Sequence, residues 1–424
     1  MKYSAYPKYK SSGVEWLGVV PNHWEVKRIG HTTYVKGRIG WQGLTSDEFV
    51  DEGPYCVTGT DFYDGKINWA SCYHVGEERY LEDPYIQLRD NDLLITKDGT
   101  IGKTAVVKKL DGKATLNSGI FLTRPLRHTY NTDYMYWVLN SRSFTAFIDL
   151  TKTGTTISHL YQNVFVRFQF PKPPLPEQQA ITDFLDHETG RIDSLIGKKQ
   201  KLIELLKEKR TALISRAVTK GLNPKAKMKP SGVEWLGNVP EHWIIKKLRY
   251  ICNVQTGDKD TVDAVDDGAF PFFVRSQTVE RIDSFTCDCE AVLTAGDGVG
   301  VGKVFHYVNS KFDFHQRVYM FNNFKKIIGT FFFYYFRENF WKVAFDGGAK
   351  STVDSLRRPM ITNFIMVVPP LDEQQAIVDF LDRETNQIDA LITKVETAIE
   401  KLKEYRTALI SAAVTGKIDV REAV

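Results

Sequence analysis

The chain has 424 residues, 56 Lys and Arg against 52 Asp and Glu, a formal net charge of +4 and five cysteines. A chain of that length holds about two to four domains, and its nearly balanced charge confines any nucleic-acid role to a local basic face. Cys56, Cys72, Cys252, Cys287 and Cys289 are odd in number, and Cys287-Asp288-Cys289 is a lone C-x-C with no companion pair, which argues against a disulfide framework or a zinc site and leaves reduced cytoplasmic thiols as the expectation.

The N-terminus lacks the apolar core of a signal peptide, and no apolar run is long enough to span a membrane. Residues 1–23 form an arm rich in Tyr and Lys. Its core, Ser12-Gly13-Val14-Glu15-Trp16-Leu17-Gly18 followed by Pro21 and His23-Trp24, returns as Ser231-Gly232-Val233-Glu234-Trp235-Leu236-Gly237 followed by Pro240 and His242-Trp243. So short a segment must dock on a neighbour. Residues 24–172 read as a first body, mixed and strand-rich. Residues 55–58, 93–96, 104–107 and 164–168 have strand character, and residues 135–150 read as a helix.

Residues 173–220 then read as one long helix. Pro176 suits the first turn, Glu177 complements the positive end of the macrodipole, and Gly221 and Pro224 are stop signals. Leu185, Ile192, Leu195, Leu202, Leu206 and Leu213 follow a three-then-four register. The helix returns in residues 369–424, where Leu381, Ile388, Leu391, Val395, Ala398, Leu402 and Leu409 repeat the seam. Aligned without a gap, about 33 of 47 positions in the two copies are identical. Two such seams in one chain predict mutual packing as a coiled coil. Roughly 44 residues at 1.5 Å each make a rod of about 65 Å, which is a spacer.

Residues 221–242 are a polar linker and the second arm, and residues 243–368 a second body with the order of the first. Its apolar run from Phe331 to Phe336 reads as a buried strand or helix face. Asp98-Gly99-Thr100-Ile101-Gly102-Lys103 corresponds to Asp297-Gly298-Val299-Gly300-Val301-Gly302-Lys303, and residues 156–160 correspond to 352–356. The helices are thus nearly constant while the bodies diverge, a common frame carrying two different surfaces. Because the second arm joins the first helix to the second body, the first arm is expected to dock in the equivalent place, beside the second helix.

No catalytic constellation is evident. The glycine segment lacks the phosphate-loop spacing, since Lys97 stands where the first glycine of that motif belongs. A tight turn between strands, with Lys103 at its tip, suits a nucleic-acid phosphate, and a plain hairpin is the equally simple alternative. His23 and His242 are expected to pack beside their tryptophans.

Two copies of Pro-Pro-Leu-x-Glu-Gln-Gln-Ala-Ile-x-Asp-Phe-Leu-Asp, at 173–186 and 369–382, each close with Arg-Thr-Ala-Leu-Ile-Ser-x-Ala-Val-Thr. With the arm motif they resemble, over the whole chain, the specificity subunit of type I restriction–modification systems. The resemblance implies an α+β fold: two mixed target recognition domains joined by two long antiparallel helices in a pseudo-twofold repeat. It implies a non-catalytic subunit that binds double-stranded DNA, each domain reading half of a bipartite site while the helices set the gap. Two modification subunits would methylate adenine N6 with S-adenosylmethionine, and two restriction subunits would add ATP- and Mg-dependent translocation and cleavage. The competing class is a free-standing DNA-binding or scaffold protein.

With DNA contacts implied to come from loops of the bodies, position singles out Lys36, Arg38, Trp41, Thr60, Lys97, Thr100, Lys103, Thr155, Ser158 and His159 in the first. In the second it singles out Lys259, Arg275, Ser276, Gln277, Lys303, Lys350 and Ser351. The lysines are expected on phosphates; Arg38 and Arg275 suit guanine and Gln277 adenine.

Overall fold

The structure, a computed structural model, describes residues 3–38, 44–151, 159–344 and 355–422. The chain forms two compact units, residues 1–199 with 397–424, and residues 200–396, so the division falls inside both long helices.

In the first unit the arm makes an antiparallel hairpin, Tyr9–Ser11 with Val19–Pro21. The body opens and closes on one strand pair, Glu25–Arg28 with Gln169–Lys172. Between them lies an antiparallel sheet in the order Thr104–Val106, Leu93–Thr96, Ile120–Pro125, Thr33–Lys36. A second sheet sets Ala114–Leu116 parallel to Phe49–Val57, with Tyr73–Val75 antiparallel on the other side. All four residues of Leu93–Thr96 are buried, as a central strand covered on both faces requires.

Two sequence expectations for this body are corrected. Residues 164–168 are not a strand: Gln162–Phe165 is a helical turn, and pairing starts at Gln169. Residues 135–150 are two helices, Thr132–Leu139 and Arg142–Leu150. Ser141 marks the break by turning its hydroxyl back to the Val138 carbonyl (2.7 Å).

The second unit repeats the plan. Its arm pairs Met228–Pro230 with Asn238–Pro240, and its strand pair joins Ile244–Lys247 to Ile365–Val368. The body sheet runs Asn253–Thr256, Val318–Asn322, Cys287–Ala295, Phe305–Phe314, Phe270–Phe273, Glu280–Ile282. The phenylalanine run lies in the helix Gly329–Asn339, with Phe331, Phe332, Tyr335 and Phe336 facing the core.

The long helices are Leu175–Lys220 and Leu371–Val414. In each unit the first part of one lies antiparallel against the last part of the other. Leu185 and Ile192 share a core with Leu409, Ile410 and Val414. Ile214 and Val218 share one with Ile377 and Leu381. The ion pair of Arg406 with Asp193 (2.9 Å) recurs in the other unit as Arg210 with Asp389 (3.0 Å).

Not every predicted seam position is buried. Leu206 and Ile388 are buried and Leu213 and Leu402 partly so, but Leu195, Leu202 and Leu391 are 43%, 40% and 43% exposed. The seam position Val395 is buried, and so is Ile399 outside the seam, because each helix packs on its own body as well as on its partner.

Each unit is closed by the same contacts. Gln178 accepts from the Asn131 amide and donates to the Pro173 carbonyl (both 2.8 Å); Gln374 does so with Ile328 and Pro369 (both 2.8 Å). At the end of each helix a lysine holds the arm: Lys417, just past Gly416, donates to the Val19 carbonyl (2.6 Å), and Lys220, just before Gly221, donates to those of Leu236 (2.9 Å) and Asn238. The first arm thus docks at the end of the second long helix, the place that the repeat order predicts.

Candidate nucleic-acid interface

The glycine turn is built alike in both units. In the first, the Lys97 amide donates to Gly119 (2.9 Å) and its carbonyl accepts from Leu160 (2.7 Å). In the second, Gly296 does the same with Arg317 and Leu356 (both 2.8 Å). The aspartate that follows forms an isolated bridge in each case, Asp98 to His159 and Asp297 to Ser355. Gly99 and Gly102 (φ 66° and 85°) match Gly298 and Gly302 (φ 71° and 67°). These left-handed positions are what turn the backbone back so tightly. The Thr96 hydroxyl donates to the Thr100 carbonyl (2.5 Å) and accepts from the Lys103 amide (3.0 Å), which leaves the Thr100 and Lys103 side chains exposed.

Around this turn the first unit places Lys36, Thr60, Thr100 and Lys103 on the surface, with His159 half-buried. His159 bonds through Nδ1 to Asp98 and packs on Tyr161 (centroids 4.5 Å). Two of the sequence-predicted contacts, Arg38 and Lys97, are buried. Arg38 is 1% exposed; its guanidinium donates to the Leu116 carbonyl (2.8 Å) and the Thr115 hydroxyl (3.2 Å). Burial, and next the nearby Arg79, lowers its pKa. An arginine tied to its own sheet cannot reach a base edge. Lys97 is also buried, its ammonium over the Phe121 ring (5.2 Å), so it is not a phosphate contact. Trp41, Thr155 and Ser158 lie outside the described residues.

In the second unit Arg275, Ser276, Gln277 and Lys303 are exposed and Lys259 is half-buried. Arg275 is ion-paired: its Nη1 donates to Asp297 Oδ1 (3.0 Å), while Arg317 donates to Oδ2 (2.7 Å). Arg317 is absent from the sequence-derived set. Its signal is the polar triplet His315-Gln316-Arg317, which makes the turn between two apolar strands. Val299 stands 91% exposed at the tip of the glycine turn. Lys350 and Ser351 lie outside the described residues.

His23 and His242 do more than pack. Each bonds to the first-turn glutamate of a long helix, His23 to Glu177 (2.9 Å) and His242 to Glu373 (2.8 Å). They belong to the frame.

The molecule is thus a duplicated scaffold whose frame is the same twice and whose loops at one turn differ. The family described as type I restriction modification DNA specificity domain matches it twice, over residues 21–205 and 240–401. The chain belongs to that family and is a specificity subunit, a recognition component and not an enzyme. The MjaVIII specificity subunit of Methanocaldococcus jannaschii is 26% identical over 95% of this chain and 94% of its own. The EcoDI subunit of Escherichia coli is 30% identical over 43% and 40%. Among solved structures, a chain from work on type I R-M complex assembly and conformational transition has a TM-score of 0.73 at 16% identity, covering 94% of this chain and 99% of that one. The HsdS subunit of Thermoanaerobacter tengcongensis has 0.56 at 16%, covering 94% and 98%. These last two likenesses are of fold. Among the described residues, no helix is long and apolar enough to cross a membrane.

Proposed function

We propose that each unit reads one half of a bipartite site in double-stranded DNA and that the two long helices set the gap and dock two adenine-N6 methyltransferase subunits. The observation that carries this reading is the contrast between frame and loops. The glutamine and arginine contacts that hold the helices recur residue for residue, whereas the side chains around the glycine turn do not. A surface presented twice serves one partner twice; a surface that differs serves two sequences. Lys36, Thr60, Thr100, Lys103 and His159, and Lys259, Arg275, Ser276, Gln277 and Lys303, are the DNA-contacting side chains. The partners would supply S-adenosylmethionine, and two restriction subunits ATP- and Mg-dependent cleavage, in the cytoplasm.

The test is a map of methylated adenines in host DNA with and without the gene. Loss of one bipartite motif on deletion is the expected result. An unchanged map, together with failure to co-purify a methyltransferase, would leave a free-standing DNA-binding protein instead.

A further inference from the structure

The aspartate of the glycine turn is constant in the two units, but what it holds is not. In the first unit Asp98 pairs with His159. The hydrogen bond from the Lys97 amide to Gly119 marks Gly119 as the counterpart of Arg317, so no side chain approaches Asp98 from that strand. In the second unit Asp297 is gripped from two sides, by Arg275 at 3.0 Å and Arg317 at 2.7 Å.

The Arg317 backbone is fixed on both sides: its amide donates to His315 Nδ1 (2.9 Å) and its carbonyl accepts from Gly296 (2.8 Å). The close approach requires glycine at 296, where a Cβ would stand 2.9 Å from that carbonyl oxygen. Asp297 is mostly buried at 15% exposure, whereas Arg275 and Arg317 are 44% and 62% exposed. Each guanidinium is tethered through Nη1, and among the described residues neither makes a further hydrogen bond through Nε or Nη2. A guanidinium held through Nη1 on an exposed side chain, with its Nε/Nη2 edge not hydrogen-bonded among the described residues, matches the O6/N7 pair of guanine in the major groove.

We infer that Asp297 is a positioning residue that aims Arg275 and Arg317 at two guanines, and that Arg317 is a specificity-determining residue of the second half-site. The inference rests on the proposed DNA-reading function. The same carboxylate in the first unit aims His159, so the two units read different bases from a common pivot.

The experiment is the methylated-motif map of cells carrying the full chain with its partner subunits, as wild type, Arg317→Lys, Arg275→Lys and Asp297→Asn. Lysine keeps the charge but loses the two-pronged edge. Expected is a wild-type motif with guanines in one half. Each lysine variant then relaxes a single guanine position there by about ten- to hundred-fold. Asp297→Asn relaxes both positions, and the other half and the gap stay unchanged. Arg317 is exposed, so the lysine variant folds, and a thermal melt equal to wild type verifies this. An intact wild-type motif that Arg317→Lys leaves unchanged, the behaviour of a phosphate contact, overturns this inference alone. A wild-type map with no bipartite motif overturns the proposed function and the inference with it.

Discussion

Trp24 and Trp243 occupy equivalent places and both are fully buried, yet their indole N–H groups have different fates. Trp243 Nε1 donates to Glu373 Oε2 (3.0 Å). Trp24 Nε1 has no partner among the described residues, because the equivalent Glu177 takes the Tyr6 hydroxyl (2.5 Å) and His23 (2.9 Å). Replacing each tryptophan by phenylalanine removes the same atoms from the same kind of pocket, so the cost of the lost ring cancels between the two variants. What remains is polar. Trp243→Phe breaks a hydrogen bond to a charged acceptor, about 1.5–3 kcal/mol, whereas Trp24→Phe deletes a buried donor whose desolvation already costs about 1–3 kcal/mol. Trp243→Phe is therefore expected to destabilise its unit by at least about 2 kcal/mol more than Trp24→Phe does its own. For a unit of this size that is a difference of about 4–8 °C in melting temperature. Calorimetry gives the difference, and hydrogen exchange read by mass spectrometry on peptides spanning each tryptophan localises it. Equal losses of protection, or a larger loss at Trp24, would refute the assignment of an unpaired donor to the first unit.

Two glycines set opposite signs. Gly416 has φ +68° and an added Cβ would stand 2.4 Å from the Pro21 ring, so Gly416→Ala is expected to lower stability by about 2 kcal/mol or more. Gly190 lies mid-helix with nothing within 4 Å, so Gly190→Ala is expected to raise it by about 0.5–1 kcal/mol; denaturant midpoints check both. Burial pushes the thiols of Cys56, Cys72 and Cys252 up to about 12, so peptide mass spectrometry should find native protein alkylated at Cys287 and Cys289, which are only half-buried, well before those three. Burial opposes the charge of Asp297, but Arg317 and Arg275 outweigh it and hold the carboxyl below its usual range. The clamp thus contributes stability above the free-carboxylate value of about 3.9 and loses it as pH falls through the lower folded value, so wild type and Asp297→Asn should converge in melting temperature only below about pH 4. Lys103→Ala should weaken binding to every DNA sequence and flatten its salt dependence, whereas Gln277→Ala should relax one base position.

The frame was legible because it is written twice. The helix boundaries, the two arms and the docking of the first arm beside the second helix all follow from repeat order. The errors lie where tertiary packing overrides local pattern. Residues 164–168 are aromatic and β-branched like a strand, but Phe165 and Phe168 are there to fill the core around Trp16 and Phe144, which a helical turn does as well. Arg38 looks like a base reader by residue type; only the fold shows its guanidinium turned back to Leu116. Arg317 is the converse case: its polar triplet marks a turn, but nothing local ties it to Asp297, 20 residues away in sequence, which lies beside it.

That separation bears on how such a protein diversifies. The contacts that the turn shares in both units are backbone to backbone: Gly119 or Arg317 to the residue before the aspartate, and Leu160 or Leu356 to its carbonyl. Backbone bonds of this kind tolerate almost any side chain, apart from the glycines at positive φ and Gly296 under the Arg317 carbonyl. The side chains that face the aspartate can therefore change, from glycine and histidine in one unit to two arginines in the other, without moving the turn that presents them. The long helices have no such freedom, since the side chain of Gln178 satisfies one backbone amide and one carbonyl, and that of Gln374 one amide and two carbonyls. The near-identity of the helices and the divergence of the bodies thus follow from where side chains, and where only backbones, carry the load.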